Sequence, residues 1–110
     1  MTQEEKNHIL LRFAGFRENE ASQEHPVIQR WRDPEGRNLF EPPPNFYGEN
    51  GLSLQAKWVL PQLWACNIML EEVLFWNVKV AHPNYGEGQA LVENNLTEAC
   101  ADAIVEMLES

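Results

Sequence analysis

Two cysteines, three histidines and several clustered carboxylates are the side chains of this 110-residue chain from which chemistry could be built. His8, His25 and His82 share no metal-ligand spacing, such as two histidines on one helix turn, so a zinc site would have to be assembled entirely by the fold. A cysteine nucleophile would need Cys66 or Cys100 beside a histidine, yet Cys100 falls in the apolar stripe of a helix and reads as core. With no other thiol in the chain, the two are expected free and buried rather than bridged. Glu71 and Glu72 are adjacent, so on a strand they would point to opposite faces and could not share acid and base roles. Gly86-Glu87-Gly88 lacks the longer glycine pattern and following helix that cradle a phosphate, and reads as a turn. No catalytic residue, cofactor site or metal site is assigned, and the expectation is a non-enzyme.

What remains is suited to recognition. Glu98, Asp102, Glu106 and Glu109 fall within about 80° of one another on a helix at about 100° per residue. Like charges at i and i+4 repel by a few tenths of a kcal/mol, and no cation is interleaved, so a basic protein surface would reward them. Phe40, Phe46 and Tyr47 flank Pro42-Pro43-Pro44, where aromatics can anchor an interface or line a pocket. These seven residues are the expected partner-binding set. Arg17, Arg30, Arg32 and Arg37 are the only cations that cluster, which leaves little to hold a phosphate.

The elements that must position these residues follow from periodicity and caps. Thr2-Gln3-Glu4-Glu5 is a capping box, and Ile9, Leu10, Leu11, Phe13 and Ala14 form an apolar stripe ended by Gly15, predicting a helix over 3–14 that lies on the sheet. Residues 16–51 are irregular, with a hairpin suggested by two short arms, 27–31 and 37–40, around Asp33-Pro34-Glu35-Gly36. The proline run should be extended. Leu52, Ala56, Val59, Leu60 and Leu63 predict a helix over 52–65, capped by Asn50 or Ser53 and kinked or restarted at Pro61, with Trp58 and Trp64 making large contacts beside it. Residues 67–72 are ambiguous. Trp76, Val78 and Val80 share one face of a strand over 73–81; a long turn rich in Gly and Asn follows, then a partner strand over 89–93. Asn95 and Glu98 cap a final helix over 96–108, whose buried stripe is Leu96, Cys100, Ala103, Ile104, Met107 and Leu108.

The expected fold is α/β of the α+β kind, a small mainly antiparallel sheet with about three helices packed on it in two or three layers, and one domain over 1–110. Seventeen acidic against eight basic residues give a formal charge of -9, which opposes direct binding to nucleic acid or an anionic membrane and admits a basic protein partner. The first residues lack the apolar core of a signal peptide and no run reaches the roughly 18 apolar residues of a membrane span, so a cytoplasmic protein is expected.

Trp31 with Asp33-Pro34-x-Gly36, an aromatic before the mid-chain helix, the tryptophan-bearing strand and the final Leu96-Thr97-Glu98-Ala99-Cys100-Ala101-Asp102-Ala103 resemble the small phage and prophage proteins grouped as the phage ABA sandwich domain. The likeness spans roughly residues 27–108 and contains no catalytic signature. It implies a phage or prophage origin and a small sheet with helices packed on it, and it transfers no functional residue. Such proteins often carry a basic residue after the cysteine, where Asp102 and Glu106 stand here. The resulting expectation is a non-enzymatic accessory protein that binds a host protein, inhibiting a host defence system through its acidic surface. The alternative is an oligomeric module that sequesters a small nucleotide-like ligand.

Overall fold

Thr2 starts the first helix as its capping pattern requires. Its hydroxyl accepts from the Glu5 amide and donates to the Glu5 carboxylate, both at 3.1 Å, and α1 runs Gln3–Ala14. Gly15 ends it at φ 105°, a left-handed conformation open to a residue without a Cβ. The structure, a computed structural model, describes residues 1–18, 31–39 and 41–110. His25, Arg30, Phe40 and most of the first arm of the expected hairpin lie outside them.

The chain after α1 forms a small two-stranded sheet, β1 (Arg17–Glu18) against β2 (Trp31–Arg32). The predicted turn is present: the Gly36 amide donates to Asp33 O at 2.9 Å, and Asp33 Oδ1 accepts from the Glu35 and Arg37 amides. Arg32 bridges Asn38 beyond it. Buried Trp31 meets the His8 ring edge-on at 5.3 Å, tying this region to α1.

The mid-chain helix is shorter than its apolar spacing suggests. α2 spans Gly51–Trp58, and Leu60–Gln62 form one 3-10 turn containing Pro61. Pro61 has no N–H to continue the α ladder, so the chain restarts there and is already a strand at Ala65. The expected stripe is also displaced: Gly51, Gln55 and Val59 are buried, while Ala56 faces solvent. Asn50 flanks the helix without a side-chain cap bond. Trp58 packs on Phe16, ring centres 5.3 Å apart, but Trp64 is 78% exposed and makes no large contact.

The main sheet has the order β3-β4-β5, antiparallel throughout. β3 (Ala65–Glu71) resolves the ambiguous stretch; β4 is Phe75–His82 and β5 is Gly86–Glu93. Val73 and Leu74, expected in a strand, instead turn the chain between β3 and β4, with Glu72 and Val73 at φ 53° and 67°. Gly86-Glu87-Gly88 is strand rather than turn, and only Pro83, Asn84 and Tyr85 separate β4 from β5. Val78 and Val80 are buried on one face, and Trp76 lies beside them partly covered.

α3 (Leu96–Glu109) starts where Asn95 Oδ1 accepts from the Glu98 amide at 2.9 Å. It lies over β4 and β5, and α1 and α2 pack mainly on α3, with α1 reaching the sheet at its end, where Phe13 meets His82 of β4 edge-on at 5.9 Å. This middle position explains a burial wider than one stripe: Ala99, Ala101 and Val105 are buried along with Cys100, Ala103, Ile104 and Met107. The helix comes so close to β5 that a Cβ on Gly88 would stand 2.1 Å from Ala103 O, so glycine is required there. No helix among the described residues is long and apolar enough to cross a membrane.

Candidate functional site

The expected acidic face of α3 is divided by its neighbours. Asp102 Oδ1 accepts from Lys6 Nζ at 3.2 Å and from the Tyr47 hydroxyl at 2.7 Å. The ridge therefore does have a cation, supplied by α1, which the spacing along α3 alone could not reveal. Burial, then the hydrogen bond to Asp102 and the charges of Asp102 and Glu98, push the Tyr47 phenol well above its usual pKa. Glu106 and Glu109 remain exposed but open onto two different depressions. The structure thus brings Glu98, Asp102 and Tyr47 together and leaves the other two acids apart.

The loop carrying Phe46 is pinned rather than presented. Phe46 is fully buried, and so is not an exposed anchor: a large apolar ring gains more from the core than from water. Its amide donates to Asn7 Oδ1 at 2.8 Å, and Asn7 Nδ2 donates to Pro44 O at 3.0 Å. Gln55, also fully buried, donates through Nε2 to Phe46 O at 3.0 Å and Thr97 O at 3.1 Å. One amide thereby joins the loop, α2 and the start of α3.

The surface that sequence reading passed over is the outer face of the main sheet. With α3 on the face of Val78 and Val80, the alternate residues point away, and no described element lies over them. The register sets them in rows: Ala65, Ala81 and Glu87; Asn67, Lys79 and Gln89; Met69, Asn77 and Leu91; Glu71, Phe75 and Glu93. Met69 and Leu91 are each more than half exposed and Phe75 is partly so. Gln89 Nε2 donates to Asn77 Oδ1 at 2.8 Å and Asn77 Nδ2 donates to Glu71 Oε1 at 3.3 Å, a polar ladder across the face. Lys79 makes no ion pair among the described residues. A depression of about 500 Å³ lies at the Ala65 end of this face, lined by Asn67, Lys79, Glu87 and Gln89, and reaches round to Glu106 of α3; Met69 and Leu91 lie outside it. Met69 and Leu91 stand at the two sides of this face with Asn77 between them, and Phe75 lies between Glu71 and Glu93, so apolar and polar side chains are interspersed on an open surface, which suits contact with a protein better than a catalytic cleft.

The remaining reactive side chains sit apart from this face. Cys66 and Cys100 meet under the sheet as a thiol pair: a hydrogen bond from Cys100 holds Cys66 down to about 7 against the effect of burial. The same bond, with burial, raises Cys100. His82 accepts from the Asn84 amide through Nδ1 at 3.0 Å and packs with Tyr85 and Phe13. Among the described residues no three His, Cys, Asp or Glu side chains gather as a metal site would need. A second depression, about 430 Å³, is lined by Arg12, Phe13, Arg17 and Tyr85 together with Glu18 and Glu109. Comparison with family models, curated proteins and solved structures returns no match to this chain.

Proposed function

We propose that the protein is a non-enzymatic binding protein whose partner is another protein, engaged by the outer face of the main sheet. The observation that carries this is an uncovered sheet face on which exposed Met69 and Leu91, and partly exposed Phe75, stand among Asn67, Asn77, Lys79, Gln89 and the acids Glu71, Glu87 and Glu93. The acidic margin favours a partner with basic side chains at its rim, and the chain's charge of -9 would steer such a partner in. The resemblance to phage ABA sandwich domain proteins supports a host protein, of a defence system, as that partner. A photo-crosslinking residue at Leu91 tests the reading in the cells that make the protein. It should form a covalent adduct with a second protein that the same residue at Gln3 does not form. Absence of any Leu91 adduct would refute it.

A small anionic ligand remains a second reading because Arg12 and Arg17 share a depression with the Phe13 and Tyr85 rings. Glu18 and Glu109 on the same walls oppose it. Nucleotide released on denaturing the purified protein would decide for this site.

A further inference from the structure

A separate feature of the main sheet concerns its edge rather than its face. β3 is the first strand in the order, and among the described residues no strand pairs with its outer side. Along Ala65–Glu71 every second residue therefore turns its backbone donor and acceptor outward, away from β4, to an open edge. Exposed edges of this kind are ordinarily blunted by lysine, proline, inward-facing charge or a covering helix. β5, the opposite edge, has Glu87 and Glu93 and lies under α3. β3 has one charge, Glu71 at its end, and although α3 reaches it at Cys66, Ile68 and Leu70 on the same face stay about half exposed. Instead of protection it shows three consecutive apolar residues to solvent, Ile68, Met69 and Leu70, each 45–56% exposed.

We propose that β3 pairs antiparallel with β3 of a second copy of this chain, joining two three-stranded sheets into one of six strands. Three observations select a second copy over a foreign strand. The first is area. Trp64, Ile68, Leu70, Val73 and Leu74, each 45–82% exposed, gather along this edge and its ends, an apolar surface larger than the isolated side chains a monomer ordinarily leaves bare and one that a second copy would cover. The second is self-complementarity. A two-fold axis at Ile68 sets Leu70 opposite Cys66 of the copy and Met69 opposite its Asn67. Strand alternation then keeps inner residues on the inner face and outer residues on the outer face. Ile68 and Leu70, which α3 fails to cover, would gain the matching pair from the other copy. The third is charge. In that register Glu71 faces Ala65 rather than the other Glu71, so two chains of charge -9 meet along a strand that brings no acids together. The outer face would become continuous across both copies.

The test uses the full chain. Native mass measurement should give twice 12.7 kDa, with association strengthened by added salt because the copies repel elsewhere. Ile68→Lys would set two ammonium groups face to face across the axis, and should weaken dimerisation at least roughly a hundredfold while the helix and strand circular dichroism is retained. Ile68→Cys should give a covalent dimer under mild oxidation, whereas Leu91→Cys should not, so a folding failure of the lysine variant would not leave the question open. A wild-type monomer at about 100 µM, a dimer indifferent to Ile68→Lys, or an Ile68→Cys chain that does not cross-link would each overturn the proposal. So would a monomer whose β3 edge takes up a foreign strand. The Leu91 adduct above is read independently, since β5 lies on the far side of the sheet.

Discussion

Gly88→Ala should be among the most damaging single substitutions in this protein, although it adds one methyl group. An ideal Cβ at that position would lie 2.1 Å from Ala103 O, 2.6 Å from Met107 N and 2.7 Å from Met107 Cβ, against 3.4–4 Å for ordinary contact. Two of these atoms are helix backbone and cannot rotate aside, so α3 itself must retreat from β5 by about 1 Å or more, a gap that forfeits roughly half of the dispersion between facing groups. The groups in question are buried Val78 and Val80 on the sheet and Ala103, Ile104 and Met107 on the helix. With about 1.5–3 kcal/mol at stake for each large side chain, half of the contribution from a few of them comes to about 3–5 kcal/mol. That is a large part of the roughly 5–15 kcal/mol by which a domain is stable, and corresponds to a Tm lowered by roughly 15–25 °C for a chain near this size. Thermal and urea unfolding followed by circular dichroism would measure it, with Gly48→Ala as the control. A Cβ at Gly48 meets Asn45 at ordinary distances, 3.4 Å and beyond, so that variant should stay within about 0.5 kcal/mol of wild type. If Gly88→Ala lost less than about 1 kcal/mol, the close seating of α3 on β5 would be refuted.

Gln55→Leu should cost about 2–3 kcal/mol in urea unfolding, because Phe46 O and Thr97 O would both lose their buried donor. Gln55→Glu should be worse at neutral pH and recover as pH falls, since a carboxylate aimed at two carbonyl oxygens favours its protonated form; the penalty is relieved below about pH 4.3 and grows above it. Alkylation of Cys66 by iodoacetamide should rise with a midpoint near pH 7, and Cys100→Ala should move it up to or above the usual value of about 8.5, because the Cys100 thiol is the donor that stabilises the thiolate and burial alone then remains. By linkage, Cys66 contributes stability that is present at pH above its unfolded value and lost as pH falls through about 7. Val73→Gly should raise stability by about 1 kcal/mol, since Val73 is a β-branched residue at φ 67°, 82% exposed, in a turn whose Leu74 amide donates to Glu71 O.

Local signals were legible in the sequence and long-range ones were not. Both capped helix starts follow from side chains three residues from the amides they bind, so Thr2 and Asn95 announce α1 and α3 without help from the rest of the chain. β4 was visible because one of its faces is buried and the other wet, which writes alternation into Trp76-Asn77-Val78-Lys79-Val80. β3 was not, because Ile68, Met69 and Leu70 are apolar on both faces and a strand of that kind has no period of two. α2 misled for the opposite reason: leucines at helical spacing continue through Pro61, but Gln55, a polar residue, occupies the buried position because two carbonyls from distant segments need a donor there.

The same distinction governs the candidate surfaces. A row of acids on a helix is readable from spacing, but whether it faces solvent depends on what packs beside it, and Lys6 and Tyr47 arrive at Asp102 from 96 and 55 residues away. An open sheet face leaves no such mark, because its members are drawn one from each strand. Asn67, Lys79 and Gln89 become neighbours only once the register of both hairpins is fixed. That register has a further consequence for binding. Since β3 shares Met69 with the outer face while its backbone edge is open, a lysine at Met69 should weaken both partner capture and β3 pairing, whereas a lysine at Leu91 should weaken partner capture alone. Measuring in both variants the adduct formed by a photo-crosslinking residue at Gln89 on the same face, together with native mass, separates the face from the edge, and equal effects of both substitutions on both readouts would show that they are one surface.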